Sequence, residues 1–173
     1  VLGSKIETIE KILRDNEKKF NVQIANDNSD GQIVLSGKIE DLSNLNLILK
    51  NNSIKYIELP VSAPFHCSLM SNATKIMANE LNKINFNNIE NKLVSNVTAK
   101  VIPNSVELKN LLIQQIENRV KWRESVINMI KNEINHFIEI GPGKVLSGLV
   151  KRINREVKIN NINSLKDIES LNV

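Results

Sequence analysis

The sequence predicts an α/β protein in two parts: a unit of short strands and helices over residues 1–60, and a unit of longer helices around a buried strand over residues 61–173. Three observations predict it. Before Pro60, apolar residues switch repeatedly between helical and strand spacing. Beyond Pro60 the pattern lengthens, and residues 137–152 read as strand, glycine turn and helix.

Val1 to Gly3 is a strand-like start without a methionine, the expected appearance of a chain that begins inside a larger protein. Ser4 is expected to cap a helix, with Glu7 at the capping-box position and Ile6, Ile9, Ile12 and Leu13 on one face through residue 17. Val22 to Ala25 reads as a short strand, Asn26 to Gly31 as a loop, and Gln32 to Gly37 as a second strand closing a hairpin. Ile39, Leu42, Leu45 and Leu49 mark a second helix to about Lys50, followed by a strand from Ile54 to Leu59. The order is β-α-β-β-α-β, which is ferredoxin-like.

In the second part Leu69, Ile76, Met77 and Leu81 line an amphipathic helix, and Lys92 to Thr98 reads as a strand. Asn104 to Gln115 is expected to be helical, as is the segment carrying Trp122, Val126, Met129 and Ile130. Phe137 to Ile140 is a β-branched strand. Gly141-Pro142-Gly143 ends it, and Lys144 to Arg152 continues as a helix.

Composition excludes several classes. Hydrophobic residues make up 41% and charged residues 24%, which is ordinary for a folded globular chain. Net charge is +4 and pI about 9.2, but the lysines are scattered and aromatics are 3%, so a nucleic-acid groove with stacking side chains is not expected. The one cysteine, Cys67, excludes an internal disulfide and fits a reducing compartment. No apolar run reaches membrane-spanning length and no charged-then-apolar leader is present; a cytoplasmic protein is expected.

Chemistry is expected in Leu59 to Met70, LPVSAPFHCSLM. Pro60 and Pro64 stiffen this loop by fixing φ and restricting the residues before them. A stiff loop can hold the imidazole of His66 as a general base, and it can equally carry a half-buried histidine satisfied by its neighbours. GPGK at residues 141–144 lacks P-loop spacing and reads as a tight turn. His66, Cys67 and His136 make no zinc spacing, and Cys67, beside His66 in sequence, reads as a small buried filler.

The blocks PVSAPFHCSLM, QQIENRVKWRESV and FIEIGPGKVLSGLVKRI, preceded by NDNSDGQIVLSG, occur in an order and at separations that resemble the C-terminal part of bacterial-type malonyl-CoA:acyl carrier protein transacylases. The resemblance covers essentially the whole chain. It implies a ferredoxin-like small subdomain over 1–60, followed over 61–173 by the C-terminal part of an α/β-hydrolase-like large subdomain. It implies transfer of malonyl from coenzyme A to the phosphopantetheine thiol of acyl carrier protein, in fatty acid biosynthesis, through a serine acyl-enzyme. Malonyl-CoA would be a substrate, and no cofactor is expected.

By the same resemblance His66 is the general base, oriented by a backbone carbonyl at Gln115 that replaces the aspartate of a Ser-His-Asp triad. The serine's GHSxG motif and the family's carboxylate-binding arginine do not occur in these residues, so the chain is expected to be about the C-terminal half of an enzyme, inactive alone. Arg119 stands where the family often has proline, and Asn26 and Asn28 fall on a loop that an Asx-turn role explains. Lys55, Lys144, Lys151 and Arg152 are candidates for a basic rim that meets an acidic carrier protein; solvated lysines are the alternative. Two other functions stay open: a ferredoxin-like binding or regulatory module, and an acyltransferase for another acyl group. A plastid stroma is the other compartment the family allows.

Overall fold

The computed structural model describes residues 1–171, which form two compact units, one from Val1 to Ser125 and one from Val126 onward.

Helix α1 spans Ile6–Asp15 and opens the first unit with Lys5 at its N-cap and no side-chain cap. Ser4 does not cap it. The residues before it are drawn into pairing instead: Leu2 N–H donates to Lys55 O (2.8 Å) and Gly3 N–H to Gly31 O (2.8 Å), and the chain turns at Gly3 with φ of 75°. Ile6 and Ile9 are buried, as their spacing requires.

Strands β1 (Val22–Ser29) and β2 (Gln32–Gly37) form an antiparallel hairpin, Val22 opposite Gly37 and Ser29 opposite Gln32, turning at Asp30-Gly31. Gly31 takes φ of 74° against the backbone of Gly3, where an added Cβ would lie 3.1 Å from Gly3 Cα. The expected end of β1 at Ala25 was too early. Asn, Asp and Ser disfavour strands, but here the second edge of β1 is paired: Val120 N–H donates to Ala25 O (2.8 Å) and Asp27 N–H to Val120 O (2.9 Å). Tertiary pairing overrides local preference.

Helix α2 (Ile39–Asn51) packs with α1 on the hairpin, and Ile6, Ile9, Phe20, Val22, Ile33, Leu45 and Leu49 form the core. Full burial of each large aliphatic side chain is worth about 1.5–3 kcal/mol. The first and last strands expected, at Val1–Gly3 and Ile54–Leu59, shrink to bridges: Leu2 pairs antiparallel with both Gln32 and Lys55. A three-residue partner that turns away at Gly3 cannot extend a ladder.

A 3-10 turn at Ser68–Met70 leads into α3 (Ser71–Asn82), which packs beside α4 (Ser105–Gln114). The helix forms where its spacing indicates, yet its Leu69, Ile76 and Met77 stripe is exposed. The strand expected over Lys92–Thr98 is a turn. The Ser95 hydroxyl accepts from Val97 N (3.1 Å) and Thr98 N (3.4 Å), and only Val94 pairs, with Val101. A serine that captures backbone donors two and three residues ahead competes with a ladder. Helix α4 starts as the sequence indicates, Asn104 Oδ1 accepting from Glu107 N (2.9 Å). Helix α5 spans Trp122–Lys131.

The second unit contains β3 (His136–Ile140), α6 (Val145–Ile153) and β4 (Lys158–Ile162), with β4 parallel to β3 from His136 opposite Lys158 to Ile140 opposite Ile162. Helix α7 (Leu165–Glu169) follows. Strand, glycine turn and helix fall where expected, while β4 and α7 extend the unit beyond the sequence reading. Ser164 and Asp167 form a reciprocal capping box, a signal legible in the sequence. No helix among the described residues is long and apolar enough to cross a membrane.

Candidate active site

The loop before α3 is built around an unusual backbone. His66 has φ of 58°, in the left-handed region where a side chain with a Cβ costs about 1–3 kcal/mol. Such a conformation persists only where its surroundings impose it. Cys67, 1% exposed, donates its thiol to Pro64 O (3.1 Å), and Phe65 N–H donates to Ala63 O (3.0 Å), so the loop folds tightly on itself. On the far side of His66, Ser68 N–H donates to Gln23 Oε1 (2.8 Å) and Gln23 Nε2 donates to Ser68 Oγ (3.2 Å).

The imidazole is half-buried and meets the C-terminal end of α4. Its Nδ1 lies 2.8 Å from Gln115 O. Carbonyls in the last turn of a helix lack intrahelical donors, and the helix dipole makes them good acceptors. Gln115, the C-cap of α4, presents such a carbonyl, while Ile116 and Glu117 donate to Ile113 O and Gln114 O instead. The Gln115 amide nitrogen is also 3.5 Å from Nδ1, which would require a ring acceptor. The shorter carbonyl contact decides the tautomer, and that amide donates to Asn118 O (3.2 Å). Nδ1 therefore carries the proton, and Nε2 holds a lone pair that no hydrogen bond engages among the described residues.

Behind the loop, β1 is tied to α5 by a buried ion pair. Asp27, 1% exposed, accepts from Arg123 Nε at 3.1 and 3.0 Å and faces its terminal nitrogen at 2.9 Å. The hydrogen bond to Asp27 is the first reason that the guanidinium holds its proton even more tightly than usual. Arg119 bonds Glu10 (3.0 Å) and Glu124 (3.3 Å), so the residue that stands where the family often has proline links α1 to α5.

At the glycine turn Gly141–Gly143 and the start of α6, several backbone donors are taken up by the chain's own acceptors. Glu139 Oε1 accepts from Leu146 N (3.1 Å), and Oε2 accepts from Ser147 N (2.7 Å) and Asn161 Nδ2 (3.1 Å). Gly143 N–H donates to Asn163 Oδ1 (3.0 Å). The chain supplies its own carboxylate to the start of α6. Hydrogen bonds, first from the Ser147 side chain, hold the Glu139 carboxyl below its ordinary range.

The four basic candidates have different surroundings. Lys55 is exposed in the first unit. In the second unit, Lys144 is exposed at the N-cap of α6, and Arg152 is exposed in its last turn. Lys151 is exposed too, and its ammonium donates to Arg155 O (2.9 Å) and Val157 O (2.8 Å), joining α6 to the approach to β4. Asn26 bridges Val120 on the strand and does not sit in a loop. Among the described residues, no three His, Cys, Asp or Glu side chains converge as a metal site.

His66 and Gln115 are the pair that the sequence reading named and the structure brings together. Gln23 was missed, because a glutamine contact 45 residues away leaves no local signal. An imidazole with one nitrogen fixed to a carbonyl and the other available is a geometry suited to proton transfer, and here it stands in an α/β fold.

Comparison with known proteins shows what this chain is similar to. The chain is homologous over nearly its whole length to malonyl CoA-acyl carrier protein transacylases. It is 36% identical over 171 residues to the one from Bacillus subtilis (strain 168), covering 98% of this chain and 54% of that protein. The crystal structure of the Clostridium perfringens malonyl CoA-acyl carrier protein transacylase superposes with a TM-score of 0.91 at 37% identity, over 98% of this chain and 54% of that one. A malonyl-transacylase solved in complex with a type II PKS acyl-carrier protein gives a TM-score of 0.91 at 30% identity, over 98% and 55%. The chain thus spans about half the length of the curated relatives it matches, in their C-terminal part. No family model matches it.

Proposed function

We propose that this chain is the histidine-bearing part of an enzyme that moves a malonyl group from coenzyme A to the phosphopantetheine thiol of acyl carrier protein. The observation that carries the reading is the 2.8 Å contact between His66 Nδ1 and Gln115 O, in a chain homologous to transacylases of that name. A serine in the portion preceding these residues attacks the malonyl thioester, and His66 Nε2 takes its hydroxyl proton. The carbon–sulfur bond then breaks, the proton passes to the leaving coenzyme A thiolate, and a malonyl serine ester remains. The carrier thiol reverses these steps, giving its proton to Nε2 and regenerating the serine. The Gln115 carbonyl stabilises the imidazolium in both halves.

Residues 1–60 are the small subdomain in this reading. The pairing order Lys55, Leu2, Gln32, with β1 beyond β2, supports a ferredoxin-like arrangement reduced to bridges at the strands that come first and last along the chain. Residues 61–173 are then the C-terminal part of an α/β-hydrolase-like large subdomain, completed by the preceding portion. Lys55 in the first unit, and Lys144, Lys151 and Arg152 in the second, are proposed as contacts for the acidic carrier. The enzyme works in the cytoplasm without a cofactor.

Two measurements test the reading. In the full-length protein, His66→Ala is expected to lower malonyl transfer by about 10² to 10⁴, the usual worth of a positioned base; unchanged turnover would sink the assignment. The 173 residues alone are expected to form no acyl-enzyme, and a covalent malonyl adduct found on them by mass spectrometry would do the same.

A further inference from the structure

We propose that Gln23 is a positioning residue for His66. Its amide contacts Ser68 twice, accepting the backbone N–H at 2.8 Å and donating to the hydroxyl at 3.2 Å. Ser68 is two residues beyond His66 and begins the 3-10 turn. Gln23 stands on a strand fixed from both sides, paired with Ser36 across the hairpin and followed by the bonds of Ala25 and Asp27 to Val120. Among the described residues, two sets of hydrogen bonds tie residues 63–68 to distant parts of the unit. One is the contact that sets the tautomer, and the other is Gln23.

The left-handed backbone at His66 gives this second tie its consequence. The contacts of Cys67 and Phe65 are internal to the loop and travel with it. With Ser68 released, His66 can relax to the backbone regions that side chains prefer, and the imidazole swings off Gln115 O. Both contacts come from the one amide, so its removal frees the start of the 3-10 turn. The proposal rests on the reading of His66 as the base, but its test does not.

The test is ¹⁵N NMR of the histidine rings in the full-length protein, at a pH where the ring is neutral, reading the share of His66 with the proton on Nδ1. Wild type is expected to hold mainly that tautomer. Gln23→Ala is expected to lower the ratio of Nδ1–H to Nε2–H several-fold, and Gln23→Met, of similar length but without the amide, should do the same, with unchanged circular dichroism for both. An unaltered tautomer ratio in folded Gln23→Ala overturns the proposal. Where Gln23→Ala does not fold, Gln23→Met decides, and a wild-type ratio there overturns it equally. In the full-length protein the same changes should lower kcat several-fold with KM unmoved. An unaltered tautomer with transfer lost in His66→Ala removes Gln23 and keeps the base. A shifted tautomer with full transfer in His66→Ala sinks the functional reading and leaves the anchor.

Discussion

The His66 loop and the Gly141–Gly143 turn both place polar groups at the end of a helix, and they end in opposite chemical states. At His66 the helix end satisfies one ring nitrogen and leaves the other open. At the glycine turn, Glu139 and Asn163 take up backbone donors of Leu146, Ser147 and Gly143. The difference teaches that a helix terminus becomes a site only where the chain withholds its own partner. At α6 it supplies a carboxylate to the positive end of the helix, and at α4 it uses the negative end to set a tautomer.

The largest expected effect that separates the two regions is on catalysis. The loss of about 10² to 10⁴ expected for His66→Ala in the full-length protein should have no counterpart in Glu139→Gln, which should stay within about threefold of wild type. A comparable collapse at Glu139, in protein that is folded by circular dichroism, would break the comparison.

The next effect is on stability, where the sheet behind His66 depends on an ion pair. Arg123→Met strands the buried Asp27 carboxylate and should destabilise the first unit by about 3 kcal/mol or more, read by urea denaturation. The double change Asp27→Leu with Arg123→Met should recover most of that loss; a double variant as weak as the single would mean that packing, not the stranded charge, sets the cost.

The smallest effect is at Glu139 itself. Its folded carboxyl lies below the ordinary value, so its contribution is fully present above the unfolded pKa of about 4.3 and is lost as pH falls through the lower folded value. Glu139→Gln should lower stability by about 1 kcal/mol near neutral pH and flatten its decline below about pH 5. A variant that matches wild type across that range would show that the cap contributes nothing.

Much of the site was legible in the sequence, for reasons that differ by residue. Pro60, Pro64 and the apolar run before them marked a stiff loop, and Asn104 marked the start of α4, because these preferences act within a few residues. The His66 to Gln115 pairing came from family resemblance, since no local rule links positions 49 apart. The left-handed backbone of His66 and the Gln23 anchor left no trace, because both depend on which strand the loop meets. The strand expected at Lys92–Thr98 failed where one serine hydroxyl outcompeted an apolar alternation. The extension of β1 was hidden for the opposite reason, as residues 25–27 gain a partner at Val120 that only the folded chain provides.

Asp27 and Arg123 also carry information about the order in which the molecule assembles. They lie 96 residues apart in sequence, whereas the turn of the hairpin beside them spans only Asp30 and Gly31. Closing so long a loop is entropically slow, so the hairpin with α1 and α2 is expected to form first and the Val120 edge to dock afterward. Substitutions at Arg123 should then speed unfolding far more than they slow folding, leaving the refolding limb of a chevron plot almost unmoved.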